Sequence, residues 1–597
     1  MLLTPSTYSM TWDLDVIFPG GSSSKEFRDH LEKVEKEIHS FEASIKSWDA
    51  SGSEDSGLSD ILEKFQKADS GLEQAESFVS CLQAQNTDDV NANELRGIVT
   101  ALASQLNTAL THLDKAILEI DDSVWKSLVE NEHLNELSFI LNERRRQAVD
   151  KLSKEEEALI NDLAVDGYHG WEEMYDAIVS QLCIPFKENG KEVLLSVGQA
   201  QNKFSSLDRQ VRKNVFDEWE KAWGKNAELI ATTLNHLSGF RLAVYKKRGW
   251  NDVLKEALEY NRMSKETLDI MWKVISDNKK PFVEFLKRKA HLLGVEKLNW
   301  YDLDAPATDS SKTYTYREGA AFIIDHFGKF GDELSKFAEK AFKGRWIEAE
   351  DRPGKRPGGF CTSFPLSSQS RIFMTYSDTY ENVSTLAHEL GHAFHTYAMK
   401  DVHPLNCHYA MNVAETASTF AETIVADAAF EQAKENSEKI ALLESKIQNS
   451  IAFFMNIHAR FLFETRFYEE RKKGMVSTER LNQLMEKAQK EAYADSLSQY
   501  HPYFWGSKLH FYISDIPFYN FPYTFGYLFS LGIYAQAKKE GKGYEEKYIS
   551  LLKDTGRMTV EELAKKHLGA DLTKEDFWQA AVDLCIKDVE EFLELTK

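Results

Sequence analysis

Leu386-Ala387-His388-Glu389-Leu390-Gly391-His392 is the stretch on which the reading of this chain turns: two histidines four residues apart, with a glutamate beside the first. On an α-helix, residues i and i+4 lie one turn apart on the same face, so His388 and His392 can offer two imidazoles to one ion. For zinc those bonds would be about 2.0–2.1 Å long. Glu389 is displaced around the helix, where it can reach a water in the open coordination position without binding the metal itself. Leu386, Leu390 and Ala393 make the helix too apolar for a solvated surface element. Its histidines therefore need partners, and one metal ion explains the pair.

The third ligand sorts the metalloprotease classes. A pattern with glycine at 395 and histidine at 398 is excluded, since those positions hold His395 and Ala398. A helix-borne glutamate is the other common choice. Residues 412–430 read as a helix on which Glu415 and Glu422 lie seven apart on one face, with Ser418 and Thr419 between them on the same side. Glu415 is the expected ligand, because two histidines and one glutamate make a standard catalytic zinc site. Glu422 is expected to orient a histidine. His403 and His408, in the loop between the two helices, are the rival ligands.

Outward from this centre, residues 352–376 change texture. Pro353, Gly354, Pro357, Gly358 and Gly359 make a loop, and 371–376 read as a strand centred on Ile372, Phe373 and Met374. That strand is expected to pair with a substrate backbone. Long helices are expected over 208–223 and 265–293. Further back, 58–115 look helical throughout, after a linker-like stretch at 51–59. Ser153 and Glu156 form a capping box opening a helix from Lys154, with a break at Gly167 and Gly170. Pro185, the Asn189-Gly190 turn and Val193-Leu194-Leu195 read as a hairpin-like boundary. An N-terminal helical domain, 1–190, and a second domain, 191–597, follow.

The composition agrees with a mainly α protein: 12 prolines and 30 glycines in 597 residues leave long Glu-, Lys-, Leu- and Ala-rich runs. The net charge of −23 repels phosphate backbones and argues against nucleic acid. Five scattered cysteines, an odd number, suit a reducing compartment. Residues 1–15 lack the basic start and apolar run of a secretory signal, so a cytoplasmic location is expected. Residues 516–535 carry no charge and could span a bilayer by length. Pro517, Asn520, Pro522 and four tyrosines argue against a membrane segment there.

The run from Thr385 through Thr396, followed by Glu415-Thr416-Ala417-Ser418-Thr419-Phe420, resembles the oligoendopeptidase F branch of the thimet oligopeptidase family. Gly358-Gly359-Phe360-Cys361, Asp208-Arg209-Gln210-Val211-Arg212 and Trp12-Asp13-Leu14 are similar to further stretches of that family, so the resemblance covers nearly the whole chain. It implies a two-lobed helical zincin with a deep central channel and a small β-sheet next to the HExxH helix, in which 191–597 form the catalytic domain. One Zn2+ would be held by His388, His392 and Glu415, with Glu389 as general base. Thermolysin-like patterns would want the glutamate near 411 or 412, which are Met411 and Asn412. His510 and the run Tyr519-Asn520-Phe521-Pro522-Tyr523 resemble the family's aromatic segment facing the zinc. His510, Tyr519 and Tyr523 would then donate hydrogen bonds to a developing oxyanion. The implied activity is hydrolysis of internal bonds in short peptides. An exopeptidase or other zinc hydrolase, and a helical peptide-binding protein with a vestigial metal site, are the competing readings.

Overall fold

Runs poor in glycine and proline favour helix, and helices build nearly all of the computed structural model, which describes residues 8–48, 56–188, 190–308 and 313–597. Three long antiparallel helices, Lys25–Ser47, Ser56–Gln85 and Val90–Leu118, open the chain. Ser24 and Asp89 cap the first and third by accepting from Phe27 N and Ala92 N. The helical run expected over 58–115 is thus two helices, parted by a turn at 86–89. The linker-like stretch at 51–59 lies, up to residue 55, outside the described residues. From residue 56 it is helix.

The capping box at Ser153 is formed in both directions. No break follows it: Gly167 sits in a π-helical turn, Val165–His169, that runs on into the helix Gly170–Ser180. That turn is tied down by Tyr168, whose hydroxyl donates to Ser514 O at 2.7 Å and accepts from Arg241 Nε at 2.8 Å. Strands β1 (Ile184–Glu188) and β2 (Lys191–Leu195) pair antiparallel, with Ile184 opposite Leu195. Asn189, at the expected turn, lies outside the described residues. The helix expected from 208 runs much further, Arg209–Lys247, and starts on a cap from Asp208. The helix expected over 265–293 is two, Lys265–Asp277 and Lys279–Leu292. Asn278 interrupts it, turning its Nδ2 back to Val274 O and across to Gln579 Oε1.

Apolar side chains gather into two large cores. One joins Trp12 to Leu141 with Phe364, Phe373 and Leu405. The other extends from Tyr175 to Phe592 and includes the apolar face of the HExxH helix. A three-stranded sheet touches both: β3 (Ile347–Glu348), β4 (Phe360–Phe364) and β5 (Gln369–Phe373), in the order β3-β5-β4. Trp12 N donates to Glu348 Oε2, and buried Arg371 donates to Asp13 O, which stitches the start of the chain to this sheet.

The sheet order corrects the expected substrate strand. The segment 371–376 is occupied along one flank throughout and, up to Phe373, along both. Ile372, Met374 and Tyr376 donate to the carbonyls of Trp346, Glu348 and Ala349, while β4 pairs along the other side. The edge strand next to the HExxH helix is β4. The uncharged stretch at 516–535 lies mostly in the helix Phe521–Glu540, packed in the second core. Among the described residues no helix is long and apolar enough to cross a membrane.

Candidate metal centre

The HExxH helix, Tyr380–Ala398, starts where Thr379 accepts from Asn382 N, and it buries Leu386, Ala387, Leu390, Gly391 and Phe394. Its partner is the helix Thr416–Gln432, which buries Ala417, Ser418, Phe420 and Ala421 against it. The two approach closely because position 391 has no side chain. A Cβ there would lie 2.4 Å from Ala417 O and 2.6 Å from Ser418 Cα.

This contact sets Glu415, immediately before the second helix, opposite both histidines. Its Oε2 lies 3.2 Å from His388 Nε2 and 3.4 Å from His392 Nε2. These ligand atoms all fall within 4.8 Å of one another. Tetrahedral zinc with bonds of about 2.0–2.2 Å requires ligand separations of roughly 3.3–3.6 Å. The donor set and its spacing therefore fit the ion.

Two of the three groups, Glu415 and His388, are held from behind. Ser418 Oγ donates to Glu415 Oε2 at 2.7 Å. Glu422 Oε2 lies 3.3 Å from His388 Nδ1, and its other oxygen accepts from Ser384 Oγ at 3.0 Å. A carboxylate can only accept, so Glu422 keeps the proton on Nδ1 and turns Nε2 towards Glu415, where a bound metal would take the place of the Nε2 proton. Burial disfavours the charge on His388, but Glu415 and Glu422 outweigh it and hold the imidazole up at about 10. Burial likewise opposes ionisation of Glu415, and the two histidines overcome it, keeping the carboxyl well below the usual range. Two carboxylates facing two imidazoles make a preformed cradle for a dication.

Glu389 is 8% exposed and stands beside this cluster. Burial raises its pKa, partly offset by His388 and His392. The residue just before β4 comes close to it: a Cβ on Gly359 would sit 3.6 Å from Glu389 Oε1. Neither rival histidine joins the cluster. His403 accepts from Leu405 N in its own turn, and His408 lies 3.6 Å from Asp69. The helix's third histidine, His395, is buried, stacked on Tyr409 with 4.3 Å between ring centroids, and bonded to Thr555 Oγ1 at 2.9 Å. Burial, helped by His392, pushes it down to about 3, so it stays neutral.

The aromatic residues singled out from sequence form one group. Ring centroids of His510 and Tyr519 are 5.4 Å apart, of Tyr519 and Tyr523 5.7 Å, and of His510 and Tyr523 6.3 Å. Tyr523 lines a cavity of about 870 Å³ together with His388, Glu415 and Glu422, and through it the group meets the metal cluster. Burial first, then Tyr519, pushes the Tyr523 phenol far above its ordinary range, so it remains a donor. His510 is driven down to about 4 by burial and by the charges of Arg460 and Lys508, which keeps it neutral. Sequence reasoning missed Ser384 and the role of Gly391. Ser384 lies four residues before His388, on the same helical face, and that spacing was the available signal.

Residues 204–584 match the model of peptidase family M3, and residues 117–183 match that of oligopeptidase F. Oligopeptidase PepF of Bacillus subtilis is 24% identical over 83% of this chain and 74% of its own length. An oligoendopeptidase F homolog of Lactococcus lactis is 23% identical over 97% and 96%. Among solved structures, a Chlamydophila abortus protein superposes with a TM-score of 0.83 at 19% identity, covering 98% of each chain. Oligoendopeptidase-F of Enterococcus faecium gives 0.69 at 19% identity, over 96% and 99%. The family match spans more than half of the sequence and contains both the HExxH helix and Glu415: this chain belongs to peptidase family M3.

Proposed function

We propose that the protein is a zinc metalloendopeptidase that hydrolyses internal bonds of short oligopeptides. The observation that carries this reading is the convergence of His388 Nε2, His392 Nε2 and the Glu415 carboxylate, with buried Glu389 alongside. His388, His392 and Glu415 hold the ion. Zinc, when bound, supplies Lewis acidity towards a carbonyl oxygen and makes water acidic enough to lose a proton near neutral pH.

The chain's own groups do the rest. Glu389 accepts the proton of the attacking water and delivers it to the leaving amine, and its burial makes it a stronger base than a solvated carboxylate. His510, Tyr519 and Tyr523 are neutral donors for the developing oxyanion, a role usually worth about 2.7–4 kcal/mol per donor. A substrate backbone adds to the outer edge of β4, which starts directly after Gly359 at the side of Glu389. The cavity of about 870 Å³ accepts an extended segment, not a folded domain.

The test is an end-blocked, internally quenched peptide incubated with purified protein, with a chelator, and with zinc restored. Chelator-sensitive internal cleavage that returns with zinc is expected. Zinc-loaded protein that cuts no such peptide would point to an exopeptidase or a binding protein.

A further inference from the structure

Beside the His510–Tyr519–Tyr523 group lie two cations that have no counter-ion among the described residues. Arg460, in the helix Ile457–Arg471, and Lys508, two residues before His510, pack on the same buried ring: Arg460 Cζ is 5.3 Å and Lys508 Nζ 5.2 Å from the centroid of Phe504. Among the described residues neither forms an ion pair with a carboxylate. Arg460 donates only to neutral amides, Nε to Asn456 Oδ1 at 2.9 Å and Nη1 to Asn520 Oδ1 at 3.0 Å. Asn520 is the residue between Tyr519 and the helix that carries Tyr523, so Arg460 is bonded directly to the aromatic segment. The Asn520 Nδ2 is itself buried and has no acceptor among the described residues. Lys508 lines a cavity of about 120 Å³ with Asn456, Ser507 and Asp304. Asp304, the acid whose charge it feels, does not come within ion-pair distance.

Both side chains are partly buried, and such an arrangement is costly unless something anionic completes it, because a cation drawn out of water without a partner is disfavoured. Burial, reinforced by Arg460, pushes Lys508 down to about 7, and burial pushes Arg460 down to about 10. Donors outnumber acceptors at this spot: a guanidinium, an ammonium and a buried amide N–H2, with no carboxylate bound to any of them. A carboxylate is the ligand whose charge answers the two cations that share the Phe504 ring, and a guanidinium is the side chain best shaped to hold one.

We propose that Arg460 and Lys508 form a carboxylate-binding subsite that anchors an anionic group of the bound peptide beside the His510–Tyr519–Tyr523 group. The proposal rests on the peptidase reading for the identity of the ligand. The carboxylate comes either from the peptide's C-terminus or from an Asp or Glu side chain. In both cases it fixes which bond lies at the metal, since the distance from anchor to scissile bond is then set by the structure.

Four quenched peptides separate the sources: one sequence as free acid and as C-terminal amide, and the amide with an internal Glu or its Gln counterpart. Wild-type protein should favour the free acid over the amide at least tenfold in kcat/KM, chiefly through KM. The same pair, labelled and bound to Glu389→Gln protein, should differ in Kd by a similar factor, a readout independent of turnover. Lys508→Met and Arg460→Gln should each reduce the preference to within twofold, and Lys508→Arg should restore it. A preference for Glu over Gln, with acid and amide equal, supports the subsite with a side-chain ligand. Equal kcat/KM and equal Kd across both pairs, or a preference that survives both Lys508→Met and Arg460→Gln, overturns it. Absence of cleavage with a retained acid-over-amide Kd difference would remove the peptidase reading and leave the subsite standing.

Discussion

Gly391→Ala should damage the metal site without touching a ligand. The added methyl would lie 2.4 Å from the Ala417 carbonyl oxygen and 2.6 Å from Ser418 Cα, both backbone atoms that cannot swing aside. Ordinary contact begins near 3.4 Å, so the two helices must part by about 1 Å. Overpacking of this kind costs about 1–3 kcal/mol, which a protein with two large cores can absorb while remaining folded. The metal site cannot absorb it, because zinc–ligand distances hold to within about 0.2 Å. Glu415 leads into the displaced helix, while His388 and His392 ride on the other one. Zinc affinity should therefore fall by at least the 10–100-fold typical of losing a supporting partner. Competition against a chromophoric chelator measures this, with Gly198→Ala as a control because a methyl there meets nothing within 4 Å. A folded Gly391→Ala protein with wild-type zinc affinity and activity would refute the claim that this helix contact sets the ligand geometry.

Glu389→Gln should keep its zinc, measured as metal per chain, and lower kcat by roughly 10²–10⁴-fold, the usual weight of a positioned base. Glu415→Ala should purify with little zinc, and an unchanged metal content would disqualify it as a ligand. Glu422→Gln leaves the three ligands intact but removes the anionic acceptor from His388 Nδ1, so zinc affinity should drop about 10–100-fold in the same chelator competition. Tyr523→Phe should reduce kcat by about 10²–10³ with little change in KM, and steady-state kinetics showing a pure KM effect would reassign the phenol to ground-state binding.

The parts of the fold written in short-range chemistry were legible in the sequence. Ser153 and Glu156 spell a capping box that forms in both directions, and a capping signal four residues long does not depend on what surrounds it. The parts set by distant contacts were not. The 265–293 run has helical texture throughout, yet Asn278 divides it by bonding across to Gln579, some 300 residues away. Gly167 reads as a breaker, yet the chain stays helical through a π turn because Tyr168 is fixed by Arg241 and Ser514. A local propensity of under about 1 kcal/mol yields to such anchors.

The same division runs through the metal site. His388 and His392 are a local fact, one turn of one helix, and Glu415 and Glu422 are another, the N-cap of a second helix and a residue two turns into it, where the sequence suggested one unbroken helix over 412–430. What joins the pairs is a helix–helix contact that permits no Cβ at 391, and the glycine in the motif was read only as a letter between ligands. The substrate strand failed for the corresponding reason. Residues 371–376 have the stronger strand pattern, but pattern gives burial and not position in a sheet, and the best-patterned strand is the one most readily enclosed on both sides. The strand with an edge to offer, β4, follows the Gly358-Gly359 pair and carries the weaker pattern of the two. If a substrate backbone does pair with this sheet, the place for it is beside the strongest strand, at the weaker one that Gly359 lets approach Glu389.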